Sequence, residues 1–249
     1  MKTSVITRKE SASASAVTLY FSDSENIMPG QFLMVWVPGV GEIPISLSHT
    51  EEEKGITVKA YGETSTAICS LKPGDRMHYR GPYGRPFITK EERRLIIGGG
   101  TGMAGLLPLV DPNATIVASA RTVDEILFRD ILKDHRTIEI TDDGSSGIKG
   151  YPVEALKTLN LDNFDMAYVC GPELMMYSVY NYIKGFSIDA QFSMERIMKC
   201  GVGICDSCSI GGYQLCRDGP TFLKSEIPGL SEFGISRTTE SGKRVWFRN

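Results

Sequence analysis

Residues 93–109 read "RRLIIGGGTGMAGLLPL", and this stretch determines the fold class that we predict for the chain. An apolar run reads as a short buried strand, and a helix opens after it. Between them lies a glycine-rich turn made of Gly98, Gly99, Gly100, Thr101 and Gly102. Glycines let a backbone approach a phosphate closely, and the first turn of a helix offers unpaired N–H groups. The stretch therefore fits a nucleotide-binding turn, or a simple tight turn, which also needs glycine.

After residue 93, strand-like and helix-like segments alternate. "ATIVASA", "TIEIT" and "DMAYVCG" look like short apolar strands, whereas "TVDEILFRDILK", "YPVEALKTL" and "PELMMYSVYNYIKG" look helical. Such alternation is typical of a parallel sheet with helices on both faces. We therefore predict an α/β nucleotide-binding domain at residues 93–190. Ligands bind beyond the carboxyl ends of such strands, so Cys170 is either part of the binding crevice or a small buried residue before a helix.

Residues 1–92 show a different sequence pattern. The β-rich segments "SASAVTLYF", "FLMVWV", "GITVKAY" and "MHYRGPYG" are separated by turn signals such as "VPGVG" and "KPGD". Strands at this spacing favour a small antiparallel barrel or sandwich, and we predict a β-barrel domain. The segment "IPISLS", residues 43–48, fits an ordinary strand of that domain or a strand that presents Ser46 and Ser48 to a ligand.

Four of the six cysteines are clustered with the spacing C-x4-C-x2-C-x7-C, and they are Cys200, Cys205, Cys208 and Cys216. Zinc sites commonly use two C-x2-C pairs, and this segment has one. A C-x4-C-x2-C run with a distant fourth cysteine is the plant-type [2Fe-2S] spacing. We therefore predict a cluster-binding segment at residues 191–249, ending in a hairpin that turns near Ser241 and Gly242. A zinc site and disulfides are the alternatives.

Composition narrows the class of protein. The 249 residues carry a formal net charge of -3, so no basic surplus points to nucleic acid or to an anionic membrane. The densest apolar stretch, "FLMVWVPGV", is too short to span a bilayer. The N-terminus lacks the apolar core of a signal peptide. We therefore expect a cytoplasmic protein, in which clustered cysteines more often bind metal or do redox work than form disulfides.

These parts, in this order, resemble the ferredoxin reductase-like flavoproteins, and more closely the electron transfer subunits of class 1B dihydroorotate dehydrogenases. "PISLS" is similar to the R-P-x-S flavin motif, "RGPYGRPF" resembles the G-P-x-G segment, and "SMERIMKCGVGICDSCSIGGYQLCRDGPTF" is nearly the cluster signature. The resemblance implies that NAD binds at residues 98–102 with Cys170, and that the four clustered cysteines hold [2Fe-2S]. It also implies an FAD site lined by Pro44, Ile45, Ser46, Thr57, Val58, Lys59, Thr64 and Ser65.

The resemblance further implies an oxidoreductase subunit that passes electrons between nicotinamide and an FMN-containing dihydroorotate dehydrogenase catalytic subunit. The complex would be a heterotetramer that forms orotate in pyrimidine biosynthesis. Because the cofactors carry the redox chemistry, we expect no catalytic acid or base in this chain. The small subunit of an NADH-dependent ferredoxin:NADP oxidoreductase and a sulfhydrogenase subunit share every motif. A non-catalytic zinc-binding interaction module is the alternative of another class.

Two positions depart from the family pattern. Ile43 stands where the family has an arginine, which would bind the flavin pyrophosphate in a fork geometry. Thr64 stands where the family has a glycine. Lys59, Arg80 and Arg85 are the candidates to supply the missing positive charge.

Overall fold

The computed structural model describes residues 1–90 and 93–247. Residues 91 and 92, where the predicted boundary between the first two domains falls, lie outside the described residues. The N-terminal part is a closed, six-stranded antiparallel barrel, which confirms the predicted fold class. Its strands are β1 Lys2–Ser13, β2 Ala16–Ser22, β3 Phe32–Val37, β4 Gly41–His49, β5 Glu53–Lys59 and β6 Arg76–Tyr83, and helix α1 Glu63–Ser70 lies between β5 and β6.

The barrel closes in the order β1-β2-β5-β4-β3-β6, and β6 pairs back with β1. Alternate side chains of each strand point to the same face, and one apolar set fills the interior. Leu19, Phe21, Leu33, Val35 and Ile56 are all fully buried in this core. The "IPISLS" segment forms the middle of β4, as both of its interpretations require.

The second part is a parallel sheet, which confirms the predicted α/β class. Its strands are β7 Arg94–Gly99, β8 Thr115–Ala120, β9 Arg136–Thr141, β10 Ile148–Lys149, β11 Met166–Cys170 and β12 Asp189–Ser193. They lie in the order β10-β9-β8-β7-β11-β12, and every neighbouring pair is parallel. The connecting helices are α2 Gly102–Leu106, α3 Arg129–Leu132, α4 Pro152–Leu156 and α5 Glu173–Ile183. The central strands are covered on both faces, because Ile96 and Ile97 belong to two different cores and both are fully buried.

The helix predicted in "TVDEILFRDILK" is mostly absent. The segment has one 3-10 turn at Val123–Glu125 and the four-residue α3. Phe128 precedes α3 with a left-handed φ of 57°, and its amide donates to the carbonyl of Ala12 in β1 at 2.8 Å. Packing against the barrel therefore overrides the helical pattern of this segment.

The cysteine-rich segment is attached to the same sheet. It contains β13 Ser209–Ile210, β14 Tyr213–Gln214, α6 Leu215–Asp218 and β15 Thr221–Leu223. Strand β15 pairs antiparallel with β12 at the sheet edge, and the predicted boundary at residues 190 and 191 falls inside β12. The three-part division of the chain remains a prediction.

The chain ends in the predicted hairpin, in which β16 Ser236–Thr238 pairs antiparallel with β17 Arg244–Trp246. The barrel also contacts the cysteine-rich segment directly, because Arg85 forms an isolated bridge with Pro220 and its guanidinium binds Glu226. No helix within residues 1–90 and 93–247 is long and apolar enough to cross a membrane.

Candidate functional site

The carboxyl ends of three parallel strands face the barrel. Gly99 ends β7, Cys170 ends β11, and Glu195 follows β12 by two residues. Barrel strand β4 lies opposite, because a Cβ added to Gly105 in α2 would lie 3.3 Å from the Cβ of Ser46. A cleft of about 850 Å³ separates the two parts. In open α/β sheets this edge is the usual place for a ligand.

The cleft brings together most of the residues predicted to bind cofactors. Its barrel wall is formed by Pro44, Ile45, Ser46, Thr57, Val58, Lys59, Thr64 and Ser65, and its sheet wall includes Thr101, Gly102 and Cys170. A second cavity of about 1140 Å³ adjoins it and is lined by Gly99, Gly100 and Thr101. Pro44, Thr101 and Glu195 line both cavities, which places the two predicted sites side by side.

The glycine-rich turn divides into packing positions and one open position. A Cβ at Gly98 would meet Met103, and one at Gly99 would meet Met175 and Pro172. A Cβ at Gly102 would collide with the backbone of Cys170. Gly100 differs, since it has a φ of +52°, open space beside it and a place in the second cavity. Three glycines therefore let the turn pack closely, and Gly100 presents bare backbone to a ligand. Gly98 lines neither cavity.

Helix α2 contributes less to the site than the sequence predicts. It has only five residues and continues as a single 3-10 turn, Leu107–Leu109. Pro108 lacks the amide N–H that a longer α-helix would need. Because a five-residue helix has few aligned peptide dipoles, recognition of a nucleotide must come mainly from the backbone of the turn and from the cavity walls.

The barrel wall offers a second helix end. The hydroxyl of Ser65 accepts hydrogen bonds from the amides of Tyr61 and Gly62, each at 2.9 Å, at the start of α1. Open space surrounds Gly62, and the first turn of the eight-residue α1 lines the cleft. The positive end of the helix favours an anionic group there, so the wall fits the phosphates of a flavin nucleotide.

Each candidate for the missing family arginine is already bound to a carboxylate. Lys59 pairs with Glu125 at 3.2 Å, Arg80 with Glu42 at 2.7 Å and Arg85 with Glu226 at 2.5 Å. Of the three, Lys59 lines the cleft. Ile43 lines both cavities, and its partly buried side chain also packs against the barrel core.

Glu195 is a cleft residue that sequence reasoning missed. The residue is exposed, and it lines both cavities at the carboxyl edge of the sheet. Removal from bulk water, reinforced by the nearby carboxylate of Glu173, raises the pKa of Glu195 to about 7. Burial also raises the pKa of Cys170, with a further contribution from Glu195. The position of Glu195 just beyond the end of a parallel strand is the signal that would have found it.

The C-terminal hairpin forms an unforeseen wall of the second cavity. Its contribution comes from Arg237, Thr238, Thr239 and Glu240, and Phe247 follows the hairpin there. The buried ion pair between Arg196 and Glu173 holds this wall in place, because Arg196 donates to the carbonyl of Ser236 at 3.2 Å and Glu173 accepts from the amide of Gly234 at 2.8 Å.

The four clustered thiols form two neighbouring pairs. Cys200 lies within hydrogen-bond reach of Cys205, and Cys216 within reach of Cys208. Burial alone would raise the pKa of Cys200, but the backbone amides around its sulfur lower it to about 6. Burial and the neighbouring Cys208 raise the pKa of Cys216 to about 12.

The cluster loop, residues 200–208, directs amides at these sulfurs. Val202 and Ile204 each donate to the sulfur of Cys200 at 3.4 Å, and Gly203 donates to that of Cys216 at 3.1 Å. Amides in such a concave loop stabilise negative charge on thiolates. Two pairs of thiols with inward-pointing amides fit a cluster of two irons, each of which takes two cysteine ligands.

Comparison with known proteins agrees with this geometry. A family model described as the iron-sulfur cluster binding domain of dihydroorotate dehydrogenase B matches residues 195–228. The chain is 50% identical over 228 residues to a probable dihydroorotate dehydrogenase B (NAD(+)), electron transfer subunit, from Thermoplasma volcanium, covering 92% of this chain and 91% of that one. The protein of the same name from Thermoplasma acidophilum is also 50% identical, with 92% of each chain covered.

Two solved structures share the fold of this chain. The structure of an NADH-dependent reduced ferredoxin-NADP oxidoreductase superimposes with a TM-score of 0.79 at 26% identity, covering 94% of this chain and 93% of that one. The flavohem-like FAD/NAD binding domain of a nitric oxide dioxygenase from Vibrio cholerae shares the fold with a TM-score of 0.64 at 17% identity, over 77% of this chain and 97% of that one. Since half of the residues are identical to those of relatives over nearly the full length, the chain belongs to the family of dihydroorotate dehydrogenase B electron transfer subunits.

Proposed function

We propose that this chain carries electrons between NAD(H) and an FMN-containing dihydroorotate dehydrogenase catalytic subunit, and that FAD and a [2Fe-2S] cluster in this chain are the intermediate stations. The complex would be a heterotetramer that forms orotate in pyrimidine biosynthesis. The observation that carries the proposal is the shared cleft: residues predicted for flavin and for nicotinamide line adjoining cavities. The cluster loop packs against Met34 in β3 and Tyr83 in β6, and β3 pairs with β4, a strand of that cleft wall.

When bound, the nicotinamide supplies a hydride, FAD accepts two electrons and releases them singly, and the cluster accepts one electron at a time. The residues of the chain bind and orient these groups. We propose that Pro44, Ile45 and Ser46 hold the flavin ring on the barrel side. The Cys170 thiol stays protonated because its pKa is raised, and Glu195 holds a proton below about pH 7. These two groups on the sheet side of the cleft therefore add little negative charge below about pH 7.

We propose that the partner subunit docks on the cluster loop. Val202 and Ile204 are apolar but 46% and 80% exposed, and the cluster ligand Cys205 beside them is exposed as well. Exposed apolar side chains grouped in this way are typical of a protein interface.

The test is anaerobic purification of the chain from its native cell, with analysis of metal, flavin and associated proteins. We expect about one flavin and two irons per chain, as a [2Fe-2S] assignment requires, together with a catalytic subunit that reduces orotate when NADH is added. Stoichiometric zinc without iron would contradict the cluster. Failure of the dihydroorotate dehydrogenase catalytic subunit to bind would contradict the proposed partner.

A second candidate function is that of the small subunit of an NADH-dependent ferredoxin:NADP oxidoreductase. It is favoured by the TM-score of 0.79 to the solved structure of such a protein. Co-purification with a larger subunit that reduces NADP, and no orotate-linked activity, would favour this candidate over the first.

We also propose a cytoplasmic location and a division into a flavin domain, a nicotinamide domain and a cluster segment. No disulfide joins the six cysteines, all of which lie within the described residues, and this suits a reducing compartment. The closed barrel and the parallel sheet support the first two units. The cluster segment would be the least independent unit, because β15 belongs to the parallel sheet. Fractionation of native cells, and expression of residues 1–92 alone with FAD, test the two proposals.

A further inference from the structure

Arg80 connects the barrel wall of the cleft with the cluster loop. It lies in β6, and its Nε and Nη2 donate to the two carboxylate oxygens of Glu42 at 2.8 and 2.7 Å. The same guanidinium uses Nη1 to donate to the carbonyl oxygen of the predicted cluster ligand Cys200, at 2.8 Å. Glu42 lines both cavities and is two residues from Pro44. A single side chain is therefore hydrogen-bonded at once to a cleft residue and to a cluster ligand.

Packing beside Arg80 also connects the cleft with the cluster loop. Met34 in β3 is fully buried, and its cross-strand neighbours are Pro44 on one side and Arg80 on the other. A Cβ added to Gly201 would lie 3.1 Å from the Cγ of Met34 and 3.2 Å from the ring of Tyr83. Gly201 also has a φ of +76°, which disfavours other residues. The cluster loop therefore rests on the outer side of the strand pair that carries Pro44.

The planar guanidinium of Arg80 can bind Glu42 and Cys200 at the same time. A guanidinium can bind a carboxylate with two parallel hydrogen bonds and keep further N–H groups for a third acceptor. The side chains of Arg80 and Glu42 are 26% and 21% exposed, so water screens their pairing only in part. The guanidinium also lies 5.7 Å from the ring centroid of Tyr83, which adds a cation–π contact.

We propose that Arg80, held by Glu42, is the positioning residue for electron transfer from flavin to cluster. It holds the cluster loop against the barrel, and it sets the electrostatic potential at the Cys200 side of the cluster. One electron passes at a time: the flavin loses it and the oxidised cluster gains it, and two such transfers follow each hydride. The inference rests on the proposed function, because it needs both cofactors in this chain.

Loss of the Arg80 charge and loss of the Glu42 charge should shift the cluster potential in opposite directions. In the native protein the guanidinium and the carboxylate nearly cancel. Arg80→Met leaves the Glu42 carboxylate uncompensated, so adding an electron to the cluster becomes harder and its reduction potential falls. Glu42→Gln leaves the guanidinium hydrogen-bonded to Cys200, so the potential rises. A tenfold change in the reduction equilibrium corresponds to about 59 mV for one electron.

Three variants separate the effects in the complete, cofactor-loaded chain. Redox titration followed by electron paramagnetic resonance gives the cluster potential, and stopped flow gives the rates of flavin and cluster reduction by NADH. We expect opposite shifts of potential for Arg80→Met and Glu42→Gln. Arg80→Lys keeps the charge but loses the fork, so its potential should stay near that of the wild type. Its cluster reduction should slow by about tenfold, the value of one charged hydrogen bond.

Arg85→Met is the matched control, because Arg85 also binds a carboxylate through two N–H groups and joins the barrel to the cysteine-rich segment. It should leave the cluster potential unchanged. Equal potentials in all variants, or shifts of the same sign for Arg80→Met and Glu42→Gln, would overturn the inference. If Arg80→Met does not assemble its cluster, Glu42→Gln and Arg80→Lys still decide the matter. A wild-type chain without flavin or cluster would instead refute the proposed function.

Discussion

Arg196 and Glu173 form a buried ion pair beneath the C-terminal hairpin, with their side chains only 4% and 9% exposed. The guanidinium donates to both carboxylate oxygens of Glu173. Arg196 follows β12 and Glu173 begins α5, so the pair joins two neighbouring connections at the carboxyl edge of the sheet. The hairpin is attached to both partners, and the cleft wall that it forms depends on this pair.

Removing one partner of this pair should be strongly destabilising. Arg196→Met leaves the Glu173 carboxylate buried without its partner, which costs about 3–5 kcal/mol of the free energy of unfolding. The double variant Arg196→Met with Glu173→Gln should recover part of that loss. The matched control is Arg93→Met, because the Arg93–Asp165 pair is exposed at 59% and 46% and water screens such a pair, so its loss should change the stability little. Urea denaturation checks all three variants, and equal losses for Arg196→Met and Arg93→Met would contradict the prediction.

Glu195 should make NADH binding depend on pH. Its pKa is about 7 against an ordinary 4.5, so the carboxyl is neutral below about pH 7 and negative above it. A negative charge in the cleft repels the dinucleotide phosphates, and the dissociation constant of NADH should therefore rise as pH increases through 7. Glu195→Gln should abolish this dependence. Isothermal titration across the pH range checks it, and infrared spectroscopy should show a protonated carboxyl band that disappears near pH 7 only in the wild type.

The same shift has a consequence for stability. Because the pKa of Glu195 is raised, the folded protein binds the proton more tightly than the unfolded chain does. The free energy of unfolding should therefore fall as pH rises from about 4.5 to about 7 and should change no further through this group above that range. Glu195→Gln should lack this contribution, so an identical pH profile for the variant would contradict the assigned pKa.

Loss of a clustered cysteine should stop electron transfer after the flavin. Cys205→Ser or Cys208→Ser replaces a soft thiolate with a poorer iron ligand, and cluster assembly should fail. NADH should still reduce the flavin, whereas transfer to the partner subunit should be lost. Iron analysis and stopped-flow spectroscopy check both statements. Cys69→Ser is the control, because Cys69 lies in α1 and should not affect iron content. A cluster-free variant that still reduced the partner at the normal rate would refute this order of stations.

Restoring the family arginine should tighten flavin binding. Ile43 lines the cleft, and an arginine there gains a charged hydrogen bond to a flavin phosphate, worth about 1.5–3 kcal/mol. Retention of FAD by Ile43→Arg should therefore improve by about tenfold or more. Fluorescence titration of FAD measures it, and Ile43→Met, which adds length without charge, should show no gain. An unchanged affinity in Ile43→Arg would indicate that Lys59 already supplies the charge.

Local patterns in the sequence determined the two fold classes and the cluster segment. The period-two pattern of the barrel strands, the apolar runs that end in glycine, and the C-x4-C-x2-C spacing each act over fewer than about twenty residues. A reader of the sequence alone can therefore predict β4, the turn after β7 and the four cysteines. The family resemblance added the flavin residues of β4, β5 and α1, and all of them line the cleft.

Only the tertiary structure determined which residues from distant segments come into contact. Glu195, Arg80 and the hairpin residue Arg237 are ordinary charged residues in the sequence. They become significant because folding places Glu195 and Arg237 in the second cavity and hydrogen-bonds Arg80 to the carbonyl of Cys200. The helical pattern of residues 122–133 likewise gave way to a contact of Phe128 with β1. The physical reason is the range of the forces involved: backbone propensity and ligand spacing are local. Burial, charge pairing and the pKa of a carboxyl depend on neighbours that folding brings from elsewhere in the chain.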